Sequence, residues 1–275
     1  MPVAVTFWGT RGSIPVSGSA FSRVGGNTSC VSVEFPDCVV LLDAGTGIRE
    51  AGRALLEDPR ELVILVSHPH WDHIQGFPFF EPLYQQGRKV TVAAPGRETW
   101  AAALAAQIDG FRFPVDCEAL SSELTVVSQP DQIRGAMPVP LSWMDVNHPG
   151  DCLGYRMETA AGAVVYLTDN ELAPDAPGPA DKASLVAFCA DAALLVHDAQ
   201  YLEDDLPDKS GWGHSTAEQV VALAREAGVA RCALFHHDPA REDWAVLKQE
   251  ALARGLMRAD PVEVFAARDG MRVLL

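Results

Sequence analysis

Residues 67–76 read SHPHWDHIQG, with three histidines and an aspartate inside six positions, between an apolar run and a glycine. Imidazole nitrogen and carboxylate oxygen are zinc ligands, and the oxygens also admit manganese or iron. His68 and His70 share parity after a strand and can converge on one point, while Asp72 and His73 can face a second point close by. A histidine-rich surface turn is the plain alternative. It does not account for an HxHxDH string set directly behind a buried strand. Four candidates in one loop cannot close two metal sites, so further ligands must come from downstream. His148 in DVNHPGD, Asp169 in VVYLTDNE and His236 in CALFHHDP each end an apolar run. Strand ends are where layered α/β proteins place their site residues.

The elements that must position these residues follow from short apolar runs punctuated by turn signals. VAVTFW (3–8) and CVSVEF (30–35) read as strands rich in β-branched residues, and VVLLDAG (39–45) as the hairpin partner of the second. LVILVS (62–67) is continuously apolar, as a strand buried on both faces would be. KVTVAAP, ELTVVS, LGYRMET, AVVYLTD, ALLVHDA, CALFHH and VEVFAA are further strands. Helical spacing marks GIREAGRALLED, RETWAAALAAQI, TAEQVVALAREAG and EDWAVLKQEALARG, the third opened by HST at its N-cap. The segment after His236 reads as about one helix and a terminal hairpin. Hairpins early and strand–helix alternation later predict two mixed sheets packed face to face with helices outside, in one domain over 1–275.

Composition narrows the partners. The 275 residues carry a formal charge of −16 and no basic stripe, which argues against extended nucleic acid. With 48% hydrophobic and 21% charged residues the chain is of ordinary globular type. No stretch reaches the roughly 18 apolar residues of a membrane span, and MPVAVTFWGTRGS lacks the charged start and apolar run of a signal peptide. A cytoplasmic location and no membrane contact are expected. The six cysteines form no CxxC pair and are expected to be reduced.

Asp43 in LLDAG, the HxHxDH string, His148, Asp169 and His236, in this order through nearly the whole chain, resemble the metallo-β-lactamase fold superfamily. The resemblance implies an α/β fold, an αββα four-layer sandwich, with two divalent metal ions per chain at one edge. Zinc is the first expectation, manganese or iron the others. It implies His68, His70 and His148 on metal one, Asp72, His73 and His236 on metal two, and Asp169 between them. Asp43 would orient a ligand imidazole by hydrogen bonding. His237 is the alternative to His236, which spacing after the strand favours. Two such cations activate water for attack on an ester, thioester, lactam or phosphodiester.

Two further pairs of motifs bear on the bond cleaved. FWGTRGSIP (7–15) and GGNTS (25–29) read alone as tight turns, but resemble the N-terminal loops of the phosphodiesterase-type branch, which includes tRNase Z and cyclic phosphodiesterases. Carried over, Thr10, Arg11, Ser13 and Asn27 would contact substrate. HDAQY (197–201) and GHST (213–216) resemble the HEAT and HST boxes of tRNase Z, with Asp198 in place of the glutamate and His214 matching. His214 and Asp198 would protonate the leaving alkoxide, a need sharper for phosphodiesters than for lactams or thioesters. Asp72 is counted with the catalytic groups as well as the ligands. Only 28 residues separate Asp169 from Asp198, too few for the arm with which tRNase Z grips tRNA. The expected substrate is therefore a small phosphodiester, such as a cyclic nucleotide, and a homodimer is expected from the resembling phosphodiesterases. The other readings are a thioester or lactone hydrolase, or a redox or sensor protein on the same fold. GFPFFEPLYQQG (76–87) and IDGFRFPVDCEAL (108–120) cluster aromatics that read as packing, or more sharply as a base-stacking wall or dimer contact.

Overall fold

The computed structural model describes residues 3–172, 178–206 and 208–275. Alternation along the first strands turns Val5, Phe7, Val31 and Val33 to the interior. They lie on β1 (Ala4–Gly9) and β2 (Cys30–Glu34), which pair antiparallel, and β3 (Cys38–Leu42) returns from β2 as the expected hairpin. β4 (Glu61–Leu65), β5 (Lys89–Ala93) and β6 (Glu123–Val127) continue the sheet in parallel from β3. Parallel strands need crossovers. These carry α1 (Ile48–Ala54), α2 (Trp71–Ile74) and α3 (Glu98–Ala105).

After α4 (Pro130–Ala136) the chain builds a second sheet, with β7 (Leu141–Asp145), β8 (Leu153–Thr159) and β9 (Gly162–Leu167) antiparallel in turn. α5 (Lys182–Cys189) leads to β10 (Leu194–Asp198), α6 (Ala217–Glu226) to β11 (Arg231–Phe235), and α7 (Asp243–Leu256) to β12 (Glu263–Ala266). β9 to β12 are parallel neighbours. The start of α6 is a capping box, in which Thr216 and Gln219 satisfy each other's backbone N–H.

The expected terminal hairpin does not form. β13 (Arg272–Leu274) pairs antiparallel with β1 at the edge of the first sheet, whereas β12 belongs to the second. Asp269 accounts for the crossing, because its carboxylate accepts from Asn27 N–H at 3.0 Å and Thr10 Oγ1 at 3.2 Å, which ties the intervening turn to the first sheet.

The second sheet is apolar on both faces. Val164, Tyr166, Leu194, Val196, Ala233 and Phe235 pack against the first sheet, and Val165, Leu167, Leu195, Cys232 and Leu234 pack under α5, α6 and α7. The layers are thus helix, sheet, sheet, helix, the αββα arrangement expected. All six cysteines are free, and no helix among the described residues is long and apolar enough to cross a membrane. Parallel pairing has one consequence for function. β3 with β4, and β9 with β10 and β11, deliver their C-terminal ends together, so Asp43, His68, Asp169, Asp198 and His236 all emerge where strands stop.

Candidate metal centre

Three of these residues pay for their position in backbone conformation: Asp43, Asp169 and His236 have φ of 64°, 48° and 57°. The left-handed region is costly for any side chain except glycine, and Asp and His are among those that tolerate it best. Asp43 and His236 follow directly on β3 and β11, and Asp169 follows β9 after one residue. His70 caps α2, whose single turn carries Asp72 and His73. His148 comes from the β7–β8 connection, which is tied to the His68 loop by Leu153 N–H donating to the Ser67 carbonyl at 2.9 Å.

The side chains form two adjoining groups. In the first, His68 Nε2 lies 2.9 Å from His70 Nδ1, and His148 Nε2 lies 3.2 Å from the same atom. Asp169 Oδ2 completes it at 3.6 Å from His68 and 3.8 Å from His148. In the second, Asp72 Oδ2 is 3.2 Å from His73 Nε2 and 3.1 Å from His236 Nε2, and the two imidazole nitrogens are 3.3 Å apart. Asp169 Oδ1 stands 3.2 Å from both histidines. Tetrahedral ligands around a zinc-sized ion, each about 2.0–2.1 Å from it, are roughly 3.3 Å from one another. The distances above, 2.9–3.8 Å, scatter about that spacing, and one carboxylate offers an oxygen to each set.

The Nε2 atoms of His73, His148 and His236 point inward, and each of these rings is held by a bond at Nδ1 on its other side. His73 Nδ1 meets Asp43 Oδ2 at 2.8 Å, and Asp43 also accepts from Ser67 N–H, Ser67 Oγ and Tyr166 Oη. His148 Nδ1 faces the Gly213 carbonyl at 3.1 Å, and His236 Nδ1 faces Gln200 Oε1 at 2.8 Å. Such partners fix the tautomer, with the proton on Nδ1 and the Nε2 lone pair free. Asp43 had been expected in this position; Ser67, Tyr166, Gln200 and Gly213 had not. A buried glutamine amid the apolar ALLVHDAQY was the available signal for Gln200. Gln200→Ala is expected to lower metal affinity roughly 10- to 100-fold while the fold persists, as measured by competition with a chelator. Unchanged affinity would remove Gln200 from the orienting set.

Burial opposes charge throughout the cluster, yet ion pairing prevails: Asp72 and Asp169 are held far below the usual carboxylate range and His73 well above the imidazole range. His68, by contrast, is pushed down by burial. His214 stands beside the second group, stacked on His236 with ring centroids 5.0 Å apart. Its Nδ1 binds Asp198 Oδ2 at 2.9 Å, and Asp198 also accepts from Gln200 and Ser215 N–H. Burial works against its charge, but the Asp198 carboxylate raises it to about 9. Asp169, His214 and His236 likewise bring donor atoms within 4.8 Å of one another, as the members of the other two groups do.

The N-terminal loops behave differently from expectation. Arg11 is fully buried, its guanidinium donating to the carbonyls of Gly25, Asp238 and Arg241 and pairing with Asp243 at 3.5 Å. Thr10 is also buried and bonds Asp269. Neither side chain is presented to a substrate. Asn27 is half-buried and accepts from Thr46 Oγ1 at 3.2 Å. Ser13 is exposed beside the ligands, with its N–H donating to Asp72 Oδ2 at 2.7 Å. Gly12 explains the loop's glycine, because a Cβ there would lie 2.4 Å from the His236 ring. His237 turns away, donating from Nε2 to the Ala267 carbonyl at 2.9 Å, and burial pushes it down to about 3.

Comparison with known proteins agrees with this architecture. The family model described as "Beta-lactamase superfamily domain" matches residues 39–237. Ribonuclease Z of Porphyromonas gingivalis is 24% identical over 85% of this chain and 90% of its own. The probable metallo-hydrolase YhfI of Bacillus subtilis is 24% identical over 87% of this chain and 91% of its own, and its crystal structure superposes with a TM-score of 0.71 over 100% of both chains. A diphosphatase from the PhnP family superposes with a TM-score of 0.67 at 20% identity, covering 98% of this chain and 97% of that one.

Proposed function

The chain belongs to the beta-lactamase superfamily, as one of its metal-dependent hydrolases, and from that premise we propose that it is a dinuclear phosphodiesterase acting on a small phosphodiester. The observation that carries the dinuclear reading is the Asp169 carboxylate, which turns one oxygen to each of two ligand sets. His68, His70 and His148 would hold one ion, and Asp72, His73 and His236 the other. When bound, two divalent cations supply Lewis acidity and an activated water. Two ligand carboxylates leave such a pair of cations with net positive charge, which suits an anionic substrate even on a chain of charge −16.

His214 and Asp198 support the phosphodiester reading. Asp198 holds the Nδ1 side of the imidazole, which leaves Nε2 to deliver a proton to the leaving oxygen. An alkoxide needs that proton; a thiolate does not. Asp72 serves as a ligand and is also fixed by Ser13 N–H, which ties the glycine-rich loop to the reacting end of the site. The ribonuclease Z relatives point to RNA, whereas the acidic balance points to a small diester.

A substrate panel on metal-loaded protein distinguishes these readings. Bis(p-nitrophenyl) phosphate and 2′,3′- or 3′,5′-cyclic nucleotides are expected to be cleaved, with thioesters and lactones turned over far more slowly. Precursor tRNA cleaved much faster than every small diester would place the substrate wrongly within the right chemistry. Thioester or lactone turnover without diester cleavage would remove the phosphodiesterase reading.

A further inference from the structure

Trp212 is 58% exposed, yet its backbone is firmly held. It sits between Gly211 and Gly213, both at positive φ, and both of their N–H groups donate to the single carboxylate of Glu171 at 2.9 Å each. Glu171 is itself only 3% exposed. The Gly213 carbonyl faces His148 Nδ1, and a Cβ at Gly213 would stand 2.1 Å from that nitrogen. The indole therefore hangs on a turn anchored to a candidate metal ligand, with one residue between it and His214.

A cation backs the same turn. Lys209 Nζ lies 4.9 Å from the Tyr201 ring centroid and 5.2 Å from that of Trp212, and Tyr201 in turn meets the His214 ring edge-on at 5.6 Å. Buried Tyr201 thus links His214 through Lys209 to the exposed Trp212 indole. Trp71 and Ile14, 76% and 59% exposed, also flank the ligand loops. Trp71 has no stacked cation among the described residues, and Ile14, whose neighbour Ser13 donates its N–H to Asp72, has no ring. An exposed indole on a fixed backbone offers a large flat area with little ordering cost on binding, and nucleic-acid bases stack on such rings whatever their identity.

We propose that Trp212, backed by Lys209 and held by Glu171, is a stacking platform for a planar heteroaromatic ring of the substrate, so that the diester is a nucleotide rather than a sugar or lipid ester. The proposal deepens the phosphodiesterase reading and rests on it for the reaction, whereas ring binding can be measured by itself.

The test compares adenosine 5′-monophosphate with ribose 5-phosphate as ligands of metal-loaded protein by calorimetry. Both carry the same phosphoribosyl group, and only one carries a ring. The parent is expected to bind the nucleotide about 5- to 100-fold more tightly, the range that stacking on one aromatic side chain supplies. Trp212→Ala should bring the ratio close to one, and Trp212→Phe should keep part of it. Metal content is measured on the same samples, and if alanine disturbs the turn, Trp212→Leu retains apolar bulk while removing the ring. Equal binding of both ligands by the parent, or a ratio undiminished in the alanine and leucine variants, would overturn the platform. A ratio that depends on Trp212 in a protein that cleaves no diester would sink the phosphodiesterase reading and leave the platform standing.

Discussion

Asp169→Ala is expected to strip metal from both sites and to slow phosphodiester hydrolysis by roughly a thousandfold or more, the scale set by losing several kcal/mol of Lewis-acid assistance. The expectation follows from geometry, since one oxygen stands 3.2 Å from His73 and His236 and the other 3.6 Å from His68. Among the described residues no other carboxylate joins the two sets. Alanine would also be strained at φ 48°, by about 1–2 kcal/mol, which could be mistaken for a loss of site integrity. Asp169→Asn separates the two effects, because asparagine tolerates the left-handed region but offers a single acceptor oxygen. It should fold like the parent and hold at most about one metal per chain. Two metals and parental rates in both variants would remove Asp169 from the shared position.

His214→Ala should keep both metals and the fold while losing hydrolysis selectively. General acid catalysis contributes about 10²–10⁴-fold, and that loss should appear in full where the leaving alkoxide is basic, as in a cyclic nucleotide. p-Nitrophenolate departs without a proton, so an aryl diester should show a much smaller deficit. Asp198→Ala should shift the alkyl-to-aryl ratio in the same direction but less, because Asp198 touches the imidazole and not the substrate. An unchanged ratio with metals intact would mean that His214 does not donate the proton. The nearness of His214 to Asp169 and His236 makes metal content a necessary control, since a ligand role would cost metal first.

Much of this is legible in the sequence. Apolar period-two runs exposed most strands, and histidines or aspartates at their ends stood out because such residues are rare beside buried strands. The αββα layering follows from the change from hairpins to strand–helix alternation. What escaped depends on partners remote in sequence. Arg11 looks like a substrate contact in a glycine-rich loop, and only its pairing with Asp243 turns it inward. β13 pairs with β1 at the opposite end of the chain, which no local turn signal reveals. β7 is hard to see in sequence because prolines flank it and only Leu141 of its five residues is buried, so its alternation is weak. Gln200 and Glu171 are ordinary polar residues in sequence, and acquire roles only when His236, Gly211 and Gly213 are brought against them. Glycine at 213 opens the GHST motif, but its reason is steric, the closeness of His148.

The central claim is that two metal ions act together on a phosphodiester, and a metal titration tests it most directly. Protein stripped of metal is titrated with zinc or manganese while bis(p-nitrophenyl) phosphate hydrolysis is followed, with elemental analysis at the plateau. Hydrolysis should rise to its maximum at two equivalents per chain and stay there, with two ions found in the fully active protein. Full activity reached at one equivalent, or retained with none, would contradict the dinuclear account.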